Sequence, residues 1–139
     1  MKSLPFTLEI KRGGREVWRV IGILTLGADG IGIEWRSDEY RRRSLRRSLR
    51  HVGRGEVHDA MIPWQYIDNV AYHGSFIGSG AIRVRARTMN ALDVLPGADG
   101  PHWEVRVASP DRTRAREFVL AAESAVGATL QLLERRTRT

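Results

Sequence analysis

Residues 81–87 read Ala-Ile-Arg-Val-Arg-Ala-Arg, with Ile82, Val84 and Ala86 on one side and Arg83, Arg85 and Arg87 on the other. An extended chain produces this two-residue spacing; a helix does not. The same alternation places Phe6, Leu8 and Ile10 on one face of residues 6–11, Ile31, Ile33 and Trp35 on one face of 31–36, and Trp103, Val105 and Val107 on one face of 102–107. Residues 17–26 are apolar on both faces for most of their length, which predicts a central strand. Residues 56–62 and 69–73 complete seven short strands. Gly13-Gly14, Ala28-Asp29-Gly30, the Pro63 segment, Gly74, Gly78 and Gly80, and residues 96–101 supply the turns between them.

The period changes near the end of the chain. Ala115, Phe118, Val119, Ala122, Val126, Leu130 and Leu133 recur at steps of three and four, the stripe of an amphipathic helix. Ser109 suits its N-cap, Pro110 its first position and Asp111 the positive end of its dipole, while Arg135, Arg136 and Arg138 favour its C-terminus. The chain of 139 residues fits one domain. The expected fold is therefore mainly β with one C-terminal helix: a bent seven-stranded antiparallel barrel or sandwich over residues 1–139, capped by a helix from about 110 to 135.

Charge is distributed unevenly along this scaffold. Arg41, Arg42, Arg43, Arg46, Arg47, Arg50 and Arg54 fall within one short stretch that holds no acidic residue. Of 23 basic residues, removing these seven leaves 16, equal to the 16 acidic residues, so the net charge of +7 is local. Such a block attracts anions. Leu45, Leu49 and Val52 are spaced i, i+4 and i+7, which predicts a helix capped at Ser37 or Asp38, or else a functional loop, as a basic insert at about 38–56. The expected site is an anion-binding surface built from those seven arginines, with Arg83, Arg85 and Arg87 as an extension of the patch. Glu104 and Glu34 are the carboxylates expected to compete for that extension.

Anionic lipid headgroups and acidic proteins are the leading partners, because no aromatic side chain is interleaved within 41–54 for base stacking. Nucleic acid is a further candidate partner, bound through its phosphates, and so is a second copy of the chain through an open sheet edge. No cysteine is present, which removes disulfides and thiolate metal sites and fits a reducing, cytoplasmic setting with peripheral contact at a membrane. Neither a signal peptide nor a membrane span is expected: the longest apolar run, residues 20–26, is broken by Gly22 and Thr25. His51, His58, His73 and His102 lack metal-ligand spacing, and Ser79 between two glycines is no nucleophile elbow, so no enzyme, metal or cofactor is expected. Of the four tryptophans, Trp18, Trp35 and Trp103 belong to strand patterns, while Trp64 beside Pro63 is the one expected to be exposed.

Two resemblances follow from local motifs. Ile62-Pro63-Trp64-Gln65-Tyr66-Ile67-Asp68-Asn69-Val70 resembles the turn of bacterial PH-like and GRAM-related domains, and residues 74–84 resemble their Gly-rich hairpin. The resemblance implies the pleckstrin-homology-like superfold. Lys11, Arg12, Arg15 and Arg19 do not reproduce the Lys and Arg-x-Arg spacing of its inositol-phosphate-binding members, so that ligand is not implied. Separately, Arg42-x-x-x-Arg46 with His73-Gly74-Ser75-Phe76-Ile77-Gly78 resembles the paired motifs of PilZ domains, with His73 where that family carries Asp or Asn. This second resemblance implies a cyclic-dinucleotide receptor.

Overall fold

The computed structural model describes residues 3–12, 14–42, 49–74 and 78–137. They form strands β1 (Ser3–Arg12), β2 (Glu16–Leu26), β3 (Gly30–Arg42), β4 (Leu49–Pro63), β5 (Ile67–Gly74), β6 (Gly80–Ala86) and β7 (His102–Val107), followed by helix α1 (Arg112–Thr137). Every predicted strand is present, and most extend beyond their alternating cores. A single 3-10 turn, Trp64–Tyr66, joins β4 to β5. The helix starts slightly later than the capping signals imply, because Ser109–Asp111 forms a 3-10 turn ahead of it.

All seven strands belong to one antiparallel sheet in the order β4-β3-β2-β1-β7-β6-β5. β1 is paired with β2 from Ser3↔Thr25 to Arg12↔Glu16, yet meets β7 at the Thr7↔Arg106 register alone. Across that sparse junction Phe6 of β1 and Trp103 of β7 meet edge to face at 5.5 Å. Because the order ends at β4 on one side and β5 on the other, the sheet is unclosed. The expected barrel or sandwich is one bent sheet, with α1 packed mainly on β5.

The alternation seen in the sequence sorts the side chains as expected. Phe6, Leu24, Ile33, Val84, Val105 and Trp103 point inward and are buried, and Ala115, Phe118, Val119, Ala122 and Val126 of α1 close over them. Each fully buried side chain of this kind contributes roughly 1.5–3 kcal/mol relative to exposure. Gly22 interrupts the apolar run of β2 for a steric reason. A Cβ there would stand 2.5 Å from the Glu34 carbonyl oxygen and from the Phe6 ring.

The expectation for Trp64 is overturned. Its ring is buried at 6 % exposure, and its indole N–H donates to the Gly27 carbonyl at 3.3 Å. The 3-10 turn folds the ring back onto the β2–β3 turn, and so removes it from any stacking surface.

Candidate anion-binding hairpin

The described parts of the basic stretch, residues 41–42 and 49–54, lie at the outer ends of the paired strands β3 and β4. β3 and β4 are paired from Gly30↔Pro63 out to Arg42↔Leu49 with two register shifts on the way, and β2 accompanies β3 as far as Glu16↔Arg41. This corrects the helix expected between 38 and 56: Asp38 lies in β3, and Leu49 and Val52 lie in β4. The ladder already running from Ile31↔Ile62 to Arg36↔Val57 continues outward across two register shifts to Arg42↔Leu49. Non-local pairing of this kind overrides the helical spacing of three apolar residues. Leu45, Arg43, Arg46 and Arg47 lie outside the described residues, as do the side chains of Arg42 and Arg50.

Two arginines of the stretch can be placed in full. Arg41 and Arg54 are exposed, and among the described residues neither has a carboxylate within 4.0 Å. Arg41 stands directly across from Arg50.

Where the hairpin leaves the body, a polar network holds it. Asp38 is the one charged residue that is buried among the described residues, at 4 % exposure. Arg36 grips it with both donors, Nε to Oδ1 at 3.0 Å and Nη2 to Oδ2 at 3.1 Å. His51 Nε2 approaches Oδ2 at 4.0 Å, and the His51 ring lies 5.1 Å from that of Tyr40. Arg19 covers the other side of Tyr40 at 4.9 Å and pairs with Glu9 at 3.3 Å. Register shifts between Arg36 and Asp38 and between Glu39 and Tyr40 increase the local twist here. Gly55 sits at the first of them, where a Cβ would collide with the Ser37 carbonyl oxygen.

Sequence reasoning missed this network; its one local signal was the pair of glycines, Gly53 and Gly55, inside a strand. Asp38→Asn keeps the shape and removes the charge that Arg36 is bound to. Charged hydrogen bonds of this kind carry about 1.5–3 kcal/mol. The expected result is a loss of stability of that order, measured as a lower urea midpoint with an unchanged slope.

The proposed extension of the patch is occupied by the protein itself. Arg83 Nε donates to Glu104 at 2.9 Å, Arg85 to Asp68 at 2.7 Å, and Arg87 to the Ile67 carbonyl at 3.2 Å. Glu104 is thus the expected competitor for Arg83, whereas Asp68, and not Glu34, holds Arg85. In strand order, β2, β1 and β7 separate β6 from β3. Arg19, Arg36 and Arg114 are likewise tied to Glu9, Asp38 and Asp111.

Of the PilZ-like motif, Arg46 and Ser75, Phe76 and Ile77 lie outside the described residues. Among the described residues no group of three His, Asp or Glu side chains is arranged to hold a metal ion, and no helix is long and apolar enough to cross a membrane. Fold and sequence together define a mainly β protein with a C-terminal helix, in which the arginine-rich stretch falls at the β3–β4 end of the sheet order. Comparison with protein-family models, curated proteins and solved structures finds no match for the chain.

Proposed function

We propose that the protein is a non-catalytic binding module of PH-like type that engages an anionic partner through the basic β3–β4 hairpin, with Arg41, Arg42, Arg43, Arg46, Arg47, Arg50 and Arg54 as its contacts. The favoured partner is a membrane surface carrying anionic headgroups. One observation carries the reading: residues 41–54 hold seven arginines and no acidic residue, and among the described residues Arg41 and Arg54, like Arg15, Arg106 and Arg116 on the body but unlike Arg19, Arg36, Arg83, Arg85 and Arg114, have no carboxylate within 4.0 Å. The contact is peripheral, made from the cytoplasmic side, and electrostatic in origin.

Co-sedimentation with vesicles tests it. Vesicles of phosphatidylcholine with a fraction of phosphatidylserine are expected to retain the protein at low ionic strength, and to release it as salt screens the attraction. Vesicles of phosphatidylcholine alone are expected not to retain it. Equal retention on both kinds, or retention indifferent to salt, would sink the proposal. An oligonucleotide shift at two salt concentrations and calorimetry with cyclic di-GMP separate the other anion readings, since each probes a ligand that the membrane reading does not require.

A further inference from the structure

The β4 edge has no strand partner, although β4 is the longest strand in the sheet at 15 residues. At the opposite end of the order, α1 packs on β5. An unpaired edge is normally blunted, and the outer part of β4 is, by its two register shifts. The inner part is regular from Val57 to Pro63 and carries exposed apolar side chains, Val57 at 64 % and Met61 at 51 %.

Charge indicates what pairs there. Arg54 and Asp59 share one face of β4: Arg54 is opposite Asp38, Asp38 is bound to Arg36 on the same side of β3, and Arg36 is opposite Val57, two residues from Asp59. Both are exposed, and among the described residues neither has an opposite charge within 4.0 Å. A second β4, antiparallel and in the register that sets Val57 against Val57, puts Asp59 opposite Gly55, beside Arg54, and Glu56 opposite His58. Two-fold symmetry makes each contact twice. Of the neighbouring registers, one sets Glu56 on Glu56, another His58 on His58 and a third Asp59 on Asp59, and the one centred on Gly55, which sets Arg54 against Glu56, runs through the irregular part of β4 at its register shifts.

We infer that β4 pairs with the β4 edge of a second copy of this chain, about a two-fold axis through Val57, with Arg54 of each copy against Asp59 of the other. The inference stands apart from anion binding, since it uses only Arg54 of the basic stretch. In the pair the two basic tips point toward opposite ends of the joined sheet.

The chain has no cysteine, which gives a direct test. Directly opposed residues hold their Cβ atoms about 4.5–5.5 Å apart, close to the span of a disulfide. Val57→Cys is expected to cross-link to a dimer under mild oxidation, while Ile23→Cys, exposed two strands inward, is expected not to. Light scattering of the unsubstituted chain is expected to give twice 15.7 kDa, Asp59→Arg to abolish that dimer, and Arg54→Asp combined with Asp59→Arg to restore it. A monomer at every concentration, equal cross-linking at 57 and 23, or a folded charge-swapped double variant that stays monomeric would each overturn the inference.

Discussion

Replacing Arg41, Arg42, Arg43, Arg46, Arg47 and Arg50 together with glutamine is expected to abolish capture by anionic vesicles. A basic side chain near an anionic leaflet contributes about 1 kcal/mol. Six therefore account for at most about 6 kcal/mol, roughly four decades in the partition constant at about 1.4 kcal/mol per decade. The fold is expected to persist, because the ladder holding the hairpin is anchored by Asp38, Arg36 and the apolar pairs further in. The control is Arg83, Arg85 and Arg87 changed together to glutamine. Those side chains are bound to Glu104, Asp68 and the Ile67 carbonyl. Their loss is expected to leave vesicle capture unchanged and to cost under about 1 kcal/mol for each exposed pair. Should the control lose capture as fully as the hairpin variant, the charge that matters is spread over the molecule and the proposed site is wrong.

The difference between these two arginine groups marks how far the sequence could be read. Strand alternation and the helical stripe are properties of neighbouring residues, so Ile82, Val84 and Ala86 on one side and Phe118, Ala122 and Val126 on another follow from local geometry. Asp38 is different. Its burial depends on Arg36, two residues away, and on His51, which only the hairpin pairing brings close. Arg85 finds Asp68 because a register shift between Ile67 and Asn69 presents that carboxylate to β6. Trp64 is the clearest case. Beside a proline and outside any strand pattern it reads as exposed, yet a single 3-10 turn seats it in the core. Leu92 and Leu95 show the same limit, since both are buried in the link between β6 and β7, where no periodicity marks them. The basic stretch was legible as charge and illegible as shape, because Leu45, Leu49 and Val52 satisfy a helical spacing while their neighbours satisfy a ladder.

Trp103→Ala is expected to be among the most destabilising single substitutions in the chain. The ring is 2 % exposed, meets Phe6 edge to face across the β1–β7 junction, and donates its indole N–H to the Pro96 carbonyl at 2.8 Å. Three parts of the fold therefore depend on one side chain: β7, β1 beyond their sparse pairing, and the link carrying Leu92 and Leu95. Truncating a buried aromatic to alanine costs about 3–5 kcal/mol, a large share of the 5–15 kcal/mol that holds a typical domain together. For a chain of this length the midpoint temperature is expected to fall by roughly 4 °C per kcal/mol, about 12–20 °C in all. Trp103→Phe separates the two contributions. It keeps an aromatic ring against Phe6 but removes the five-membered part of the indole together with the donor to Pro96, so the expected loss is about 1–3 kcal/mol. At a temperature where Trp103→Phe is fully folded, its vesicle capture is expected to match that of the unsubstituted chain, because Trp103 stands in β7 and the basic hairpin lies beyond β1 and β2 in the sheet. A scaffold variant that changed capture without unfolding would mean that the junction of β1 and β7 sets the geometry of the basic surface, and that the two cannot be treated as separable.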